Sequence, residues 1–294
     1  MDQYRIDEPR ARRAFERAAP TYIEAARLER EIGQRMLERL ELVRLAPGVV
    51  LDAGAGPAPQ AEGLRRCYPD AQHIALDWSG AMLRERSVRS GWLGRVFGAR
   101  GPAAVCADLR RIPLAAGTCA LVWANMALHW VSDPQPAFAE FSRVLGRDGL
   151  LMFSTLGPDT LKELRAAGEG AGTAGNVHRY RDMHDLGDML GASGFAAPVM
   201  DMEIITLTFA NVAELVADLR ATGQTSSAAG RSRTLMGKRR WAAVRDALEA
   251  RAVDGRISIT AEVVYGHAWK GAPRRSRDEG SIVRLERAPR SVRS

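Results

Sequence analysis

The chain has 294 residues, 42 Lys plus Arg against 35 Asp plus Glu, 46% hydrophobic and 26% charged residues, and a formal net charge of +7. That length and apolar content suffice for a sizeable core, in one large domain or two modest ones, and exclude global disorder. The charge invites a nucleic-acid or membrane reading, yet residues 270–294 hold eight basic and three acidic side chains, +5, which leaves only +2 on residues 1–269.

Arginine supplies 39 of the 42 basic residues, a uniform bias that points to composition rather than to one binding surface. Cys67, Cys106 and Cys119 are scattered and form no C-x-x-C pair. They argue against a disulfide framework or a zinc site and for a reducing compartment. The first residues are charged and no apolar signal segment follows, so a cytoplasmic location and no metal are expected. Ile112 to Ser132 is uncharged and long enough to span a bilayer, but Pro113, Gly117, Asn125 and His129 interrupt it. A buried strand with flanking loops accounts for it better.

Residues 8–45 read as helix, with Ile23, Ala26, Leu28, Ile32, Met36, Leu37 and Leu40 at three- and four-residue spacing. Pro47-Gly48 ends it, and residues 49–54 (VVLDAG) read as a buried parallel strand. A helical stretch over about 58–68 follows, then strand 73–77 and a helix capped by Ser79. Residues 91–102 read as a Gly- and Arg-containing connector, before strands 103–108 and 120–125, helix 134–146 and strand 149–154. This alternation predicts a mostly parallel sheet with helices on both faces. Beyond residue 155, helices are expected at 158–167, 182–193, 211–222 and 234–250, strands at 199–209 and 257–267, and a flexible surface loop at 168–175. The last 25 residues lack apolar periodicity and read as a basic, disordered tail.

Gly54 and Gly56 stand directly after the first strand and before a helix, where glycine permits a sharp turn and close approach of a ligand. Two patterns compete. The dinucleotide fingerprint wants a small third residue where Pro59 stands. The D-x-G-x-G-x-G loop has Asp52, Gly54 and Gly56 but Ala58 at its last glycine. Asp77 ends the second strand, where a carboxylate can accept both hydroxyls of a ribose. Asp108 ends the third, within reach of an adenine edge, and Asn125 ends the fourth. Polar residues at three successive strand ends, aimed at one switch point, are the lining of a nucleoside pocket.

With these residues in hand, the chain resembles the class I S-adenosylmethionine-dependent methyltransferases. Within them it resembles the malonyl-acyl-carrier-protein O-methyltransferases of the biotin pathway. The likeness runs from about residue 12 to 270. It is carried in order by residues 13–28 (RAFERAAPTYIEAARL), 125–130 (NMALHW), 153–164 (FSTLGPDTLKEL), 178–180 (HRY), 201–209 (DMEIITLTF) and 259–267 (ITAEVVYGH). Ala58 departs from the family's glycine, and a right-handed backbone there would accept it. The same branch also resembles a complex I assembly factor that keeps the fold but is associated with another reaction, so the fold alone does not choose the chemistry.

The resemblance implies a Rossmann-like fold with a seven-stranded, mostly parallel sheet. It divides the chain into an N-terminal helical lid (1–46), a cofactor-binding core (47–156), substrate-side helices with the final antiparallel strands (157–269) and the tail (270–294). It implies S-adenosylmethionine on Asp52, Gly54, Gly56, Asp77, Trp78, Asp108, Leu109 and Asn125. It also implies an acceptor site with Tyr22 from the lid, Arg179 and Tyr180 from the H-R-Y segment, and His129 beside Trp130. Arg179 is the expected carboxylate contact, since its fork matches two oxygens. A free carboxylate acceptor needs no general base, so the site's task is alignment and water exclusion. Arg231, Arg233, Lys238, Arg239 and Arg240 put five positive charges in ten residues, a candidate dock for an acidic acyl-carrier protein. Neither nucleic acid nor membrane is an expected partner: N125-M-A-L stands where a nucleic-acid methylase would carry an N-P-P-Y-type tetrapeptide. A monomer is expected.

Overall fold

The computed structural model describes residues 3–89 and 103–271, apart from 233 and 235. The expected connector 91–102, Arg233 and the tail beyond Gly271 lie outside the described residues. Strands β1 (Val49–Ala53), β2 (Gln72–Asp77), β3 (Ala103–Cys106), β4 (Cys119–Ala124), β5 (Leu145–Leu156), β6 (Ala196–Phe209) and β7 (Ile257–Trp269) form one sheet in the order β3-β2-β1-β4-β5-β7-β6. β1 to β5 pair in parallel, and β7 runs antiparallel between β5 and β6. The order reverses between β1 and β4, so the crevice above their C-terminal ends is where an open α/β sheet places its ligand.

The two-residue side-chain period explains why both faces of β1 and β4 are apolar. Leu51, Ala53, Val122 and Ala124 face one layer, packed against α5 (Gln135–Val144) and α7 (Met183–Ala192) through Phe138, Phe141, Leu186 and Leu190. Val50, Leu121 and Trp123 face the other, packed against α2 (Arg27–Glu41) and α3 (Ala61–Cys67) through Ile32, Met36, Leu40 and Leu64. A separate cluster joins α6 (Lys162–Gly170), α8 (Val212–Ala221) and α9 (Lys238–Glu249) to the far end of β6 and β7, through Leu215, Val244, Leu248 and Ile259.

Three expectations need correction. The single helix over 8–45 is two, α1 (Glu8–Ala25) and α2, broken at Ala26 with φ −70° and ψ 60°. Their buried stripes face different partners. Phe15, Ala18 and Ala19 of α1 pack with Met82 and Trp130 near the strand ends, whereas α2 packs into the sheet core. A continuous rod could not serve both. The expected loop 168–175 is helical to Gly170: Ala167 and Gly168 are buried, small enough for α6 to pack beside α9, and Thr173 N–H closes the end on the Gly168 carbonyl at 2.7 Å. The helix expected from 58 begins at Ala61, because Ala58 has φ +54°. Ala58 is thus held in the left-handed region and not in the right-handed backbone that would accept it without strain; its methyl is buried against Ala55, Ala75 and Leu83, and its N–H reaches the Ala55 carbonyl at 2.7 Å.

Candidate functional site

The turn after β1 is held by the neighbouring strand: Gly54 and Ala55 N–H both donate to the Leu76 carbonyl, at 2.8 and 2.9 Å. The two glycines are needed for different reasons. Gly54 has φ +80°, and a Cβ there would stand 2.3 Å from the Ala127 methyl, so the turn after β4 closes directly on it. Gly56 has φ +54°, and a Cβ there would meet nothing within 4 Å. It leaves open floor beside a chamber of about 690 Å³, part of it open to solvent.

The chamber is walled by Gly54, Gly56, Asp77, Trp78, Asp108, Leu109, Asn125, His129 and Tyr22, as the sequence suggested. Asp77 Oδ2 accepts the Gly56 N–H at 2.9 Å and Oδ1 accepts that of Ser79 at 2.7 Å. Burial nevertheless pushes its carboxyl up to about 6. Asp52 does not reach the wall. It stands buried behind Asp77, and burial together with that neighbour's charge raises it to about 7. Asp108 is held well below the usual carboxylate range by the Arg110 guanidinium. Arg110 in turn binds both oxygens of Glu8, at 3.0 and 2.8 Å, and so ties the start of α1 to the turn after β3. Asn125 is engaged at both ends: its amide donates to the Glu29 carbonyl at 2.9 Å and its oxygen accepts from Ser154 Oγ at 2.7 Å. It therefore pins α2 to β4 as well as lining the chamber.

His129 sits among aromatic rings, 5.3 Å from Trp130 and 5.8 Å from Tyr180 between centroids. Burial pushes its imidazole down to about 3, so it is neutral at working pH. Burial, then Glu29 and Asp77, raise the Tyr22 phenol well above its ordinary value. Arg179 and Tyr180 are not in the chamber wall. They line a smaller cavity of about 340 Å³ beyond it, which meets the chamber at His129 and Val131. Tyr180 is buried and Arg179 is exposed at the rim. The structure thus does not place the Arg179 fork inside the chamber.

Of the five basic residues expected to dock a partner, Arg231 is withdrawn: its side chain is 14% exposed and paired with Asp7 at 3.0 Å. Lys238, Arg239 and Arg240 are exposed in the first turn of α9, where positive charge opposes the helix dipole. Exposed Met236 and Trp241 lie beside them.

Sequence reasoning missed Phe15, Glu29, Met82 and Gln224 in the wall. Glu29 had a readable signal. It lies on the same helical stripe as Ile32, Gly33, Met36 and Leu40, so an acid occupies the buried face. Gln224 had none, because it is brought in by the turn after α8. Among the described residues, no helix is long and apolar enough to cross a membrane.

A family model described as a methyltransferase domain matches residues 51–153, the segment from β1 to β5 that builds the chamber floor. The malonyl-acyl-carrier-protein O-methyltransferase of Gallionella capsiferriformans is 48% identical over 97% of this chain and 98% of its own. That of Laribacter hongkongensis is 49% identical over 96% of each. Among solved structures, the YcgJ protein from Bacillus subtilis superposes with a TM-score of 0.57 at 16% identity, over 81% of this chain and 99% of its own. At that identity the likeness concerns the fold.

Proposed function

The chain belongs to the malonyl-acyl-carrier-protein O-methyltransferase family, and on that premise we propose that the chamber aligns S-adenosylmethionine with the free carboxylate of a malonyl thioester carried on acyl-carrier protein. The observation that carries this reading is the enclosure of His129 between the Trp130 and Tyr180 rings, 5.3 and 5.8 Å away between centroids. With its imidazole pushed down to about 3 it is too weak a base to take a proton. A carboxylate acceptor arrives already ionised and asks for none.

The chain's residues fit the cofactor. Asp77 faces the chamber beside the open floor at Gly56, placed to accept ribose hydroxyls. Trp78 and Leu109 supply apolar walls for an adenine, and Asp108 its polar edge. Bound there, S-adenosylmethionine supplies a methyl group on positively charged sulfur, which a carboxylate oxygen can accept directly. Phe15, Tyr22 and Trp130 exclude water from the chamber, with α1 as its cover. Such alignment and exclusion contribute roughly 7–11 kcal/mol in favourable cases. The acceptor's carboxylate approaches past His129 from the cavity of Tyr180, with Arg179 at its mouth. The carrier protein docks on Lys238, Arg239 and Arg240 with Met236 and Trp241, so that an acidic partner relieves the charge at the start of α9. The enzyme works as a monomer.

Incubating the chain with malonyl-carrier protein and methyl-labelled cofactor should yield a labelled methyl ester. Bound cofactor without ester would overturn the acceptor assignment. Reversing Arg239 and Arg240 to Glu should lower activity on the carrier-bound substrate roughly 10-fold at low salt, with a free malonyl thioester unaffected. An equal loss on both would refute the dock.

A further inference from the structure

Glu29 is 5% exposed and belongs to the first turn of α2. It is fixed from several sides. Its carboxylate takes the Gln224 side-chain amide N–H, and its backbone carbonyl accepts Asn125 Nδ2 at 2.9 Å, with Gln60 Nε2 at 3.5 Å. The charged and titratable groups around it are few. Tyr22 faces it from α1, Asp218 from α8, and Asp77 lies across the chamber near Tyr22. Arg30, its neighbour in sequence, gives its guanidinium hydrogen bond to the Ile23 carbonyl and acts on the carboxyl only through space, lowering it slightly against burial. Among the described residues, then, the hydrogen bonds to this carboxylate come from neutral donors, the Gln224 amide and its own backbone N–H, and no Lys or Arg lines the chamber it faces. A buried carboxylate so placed is unfavourable until a cation arrives.

The position within the chamber says which cation. Asp77 ends β2 and marks the ribose end, whereas Glu29 is held by Asn125, which follows β4 on the other side of β1. On that side the cofactor carries an α-amino acid, whose carboxylate Glu29 would repel and whose ammonium offers three donors. We propose that Glu29 is the counter-ion of the cofactor's α-ammonium, held for that contact by Gln224 and by Asn125's grip on its backbone. This rests on the cofactor reading above but not on the acceptor. Burial pushes the Glu29 carboxyl up to about 7, with Asp218 adding to it. Binding an ammonium requires the ionised form, so the contact strengthens as pH rises through 7.

The test is calorimetry on the full chain and its Glu29→Gln variant with three ligands: S-adenosylmethionine, S-adenosylhomocysteine and 5′-methylthioadenosine, which lacks the amino-acid end. The first two should weaken together by roughly 10- to 100-fold in the variant, as expected for a charge-assisted hydrogen bond, while the third changes less than about twofold. Glu29→Asp should recover part of the loss. Equal weakening of all three would show a merely structural role, weakening of the sulfonium ligand alone would place the contact at sulfur, and no weakening would remove the contact; each overturns the proposal. If Glu29→Gln does not fold, the parent chain decides. Affinity for S-adenosylhomocysteine should rise relative to that for 5′-methylthioadenosine between pH 6 and 7.5, and parallel curves would overturn it. Failure of all three ligands to bind the parent would instead overturn the cofactor reading, and with it this one. Failure to methylate malonyl-carrier protein leaves the Glu29 contact untouched.

Discussion

Replacing Asp52 by Asn isolates the energetic consequence of an acid pair beneath the chamber. Asp52 is buried behind Asp77, and burial with that neighbouring charge pushes its carboxyl up to about 7 from the ordinary 3.8. Between those values the folded chain keeps a proton that the unfolded chain has released. Stability from this group is therefore lost as pH rises from about 4 to about 7. About three pH units at about 1.4 kcal/mol each set an upper bound of about 4 kcal/mol, and relaxation around the ionised group lowers it to a working range of about 1–4 kcal/mol. Asn keeps the shape without the charge, so the variant should be more stable than the parent by that amount at pH 8 and indistinguishable near pH 4. Asp108 and Glu140, whose carboxyls are held down by Arg110 and Arg143, tilt both curves the opposite way. The difference between the two chains is thus the readout. Urea midpoints of the cofactor-free proteins at pH 4 and pH 8, with a shared slope, measure it. A variant no more stable than the parent at pH 8 would refute the reasoning.

Two further outcomes follow from single contacts. Ala58→Gly relieves a left-handed alanine, about 1–2 kcal/mol, but loses a buried methyl, about 0.8 kcal/mol, and loosens the unfolded chain by about 0.4–1 kcal/mol. Stability should stay within about 0.8 kcal/mol of the parent, and a loss of about 1.5 kcal/mol or more in denaturant unfolding would contradict the φ assigned to residue 58. Glu8→Gln removes the carboxylate that binds Arg110 and the Ser132 N–H. Amide exchange in α1 should quicken roughly 10-fold while β1 and β4 keep their protection; unchanged exchange would show that this tie does not hold the helix.

Much of the sheet was legible in the sequence because β1 and β4 are short apolar runs between strong breakers, because the second half of β5 is another, and because Asp77, Asp108 and Asn125 come at or just beyond successive strand ends. What was not legible depends on partners far along the chain. The break at Ala26 follows from two helical stripes meeting different surfaces, which no local period announces. The extension of α6 to Gly170 depends on α9, some seventy residues on, for the neighbour that makes a small residue an advantage. In the site, the polar residues read from the ends of β2, β3 and β4 come together in one wall, whereas Gln224 arrives through a turn with no motif. Arg179 shows the limit of motif reading: H178-R-Y180 sits beside the chamber, but only Tyr180 is buried, and the intervening His129 faces both cavities. Arg231 shows the same limit for charge runs. Five positive charges in ten residues say nothing about which one Asp7 has already claimed.

The raised carboxyls of Glu29, Asp52 and Asp77 and the neutral His129 have one cause. Each is enclosed where water cannot solvate its charge and where few opposite charges reach it. An enclosed space with those properties rewards a ligand that brings a positive centre, and that centre in turn attracts an anionic acceptor. S-adenosylmethionine carries two positive centres against one carboxylate, and its demethylated product has lost the sulfonium charge. Methyl transfer therefore weakens the attraction that held the cofactor, which favours its exchange after each turnover. The bulk charge of +7 gave no hint of this, since most of it lies beyond the last strand. Ligand stabilisation follows the free concentration over Kd, so the cationic cofactor should protect the fold more strongly at pH 8, where the buried carboxyls would otherwise be ionised and unpaired, than at pH 5, where they hold their protons.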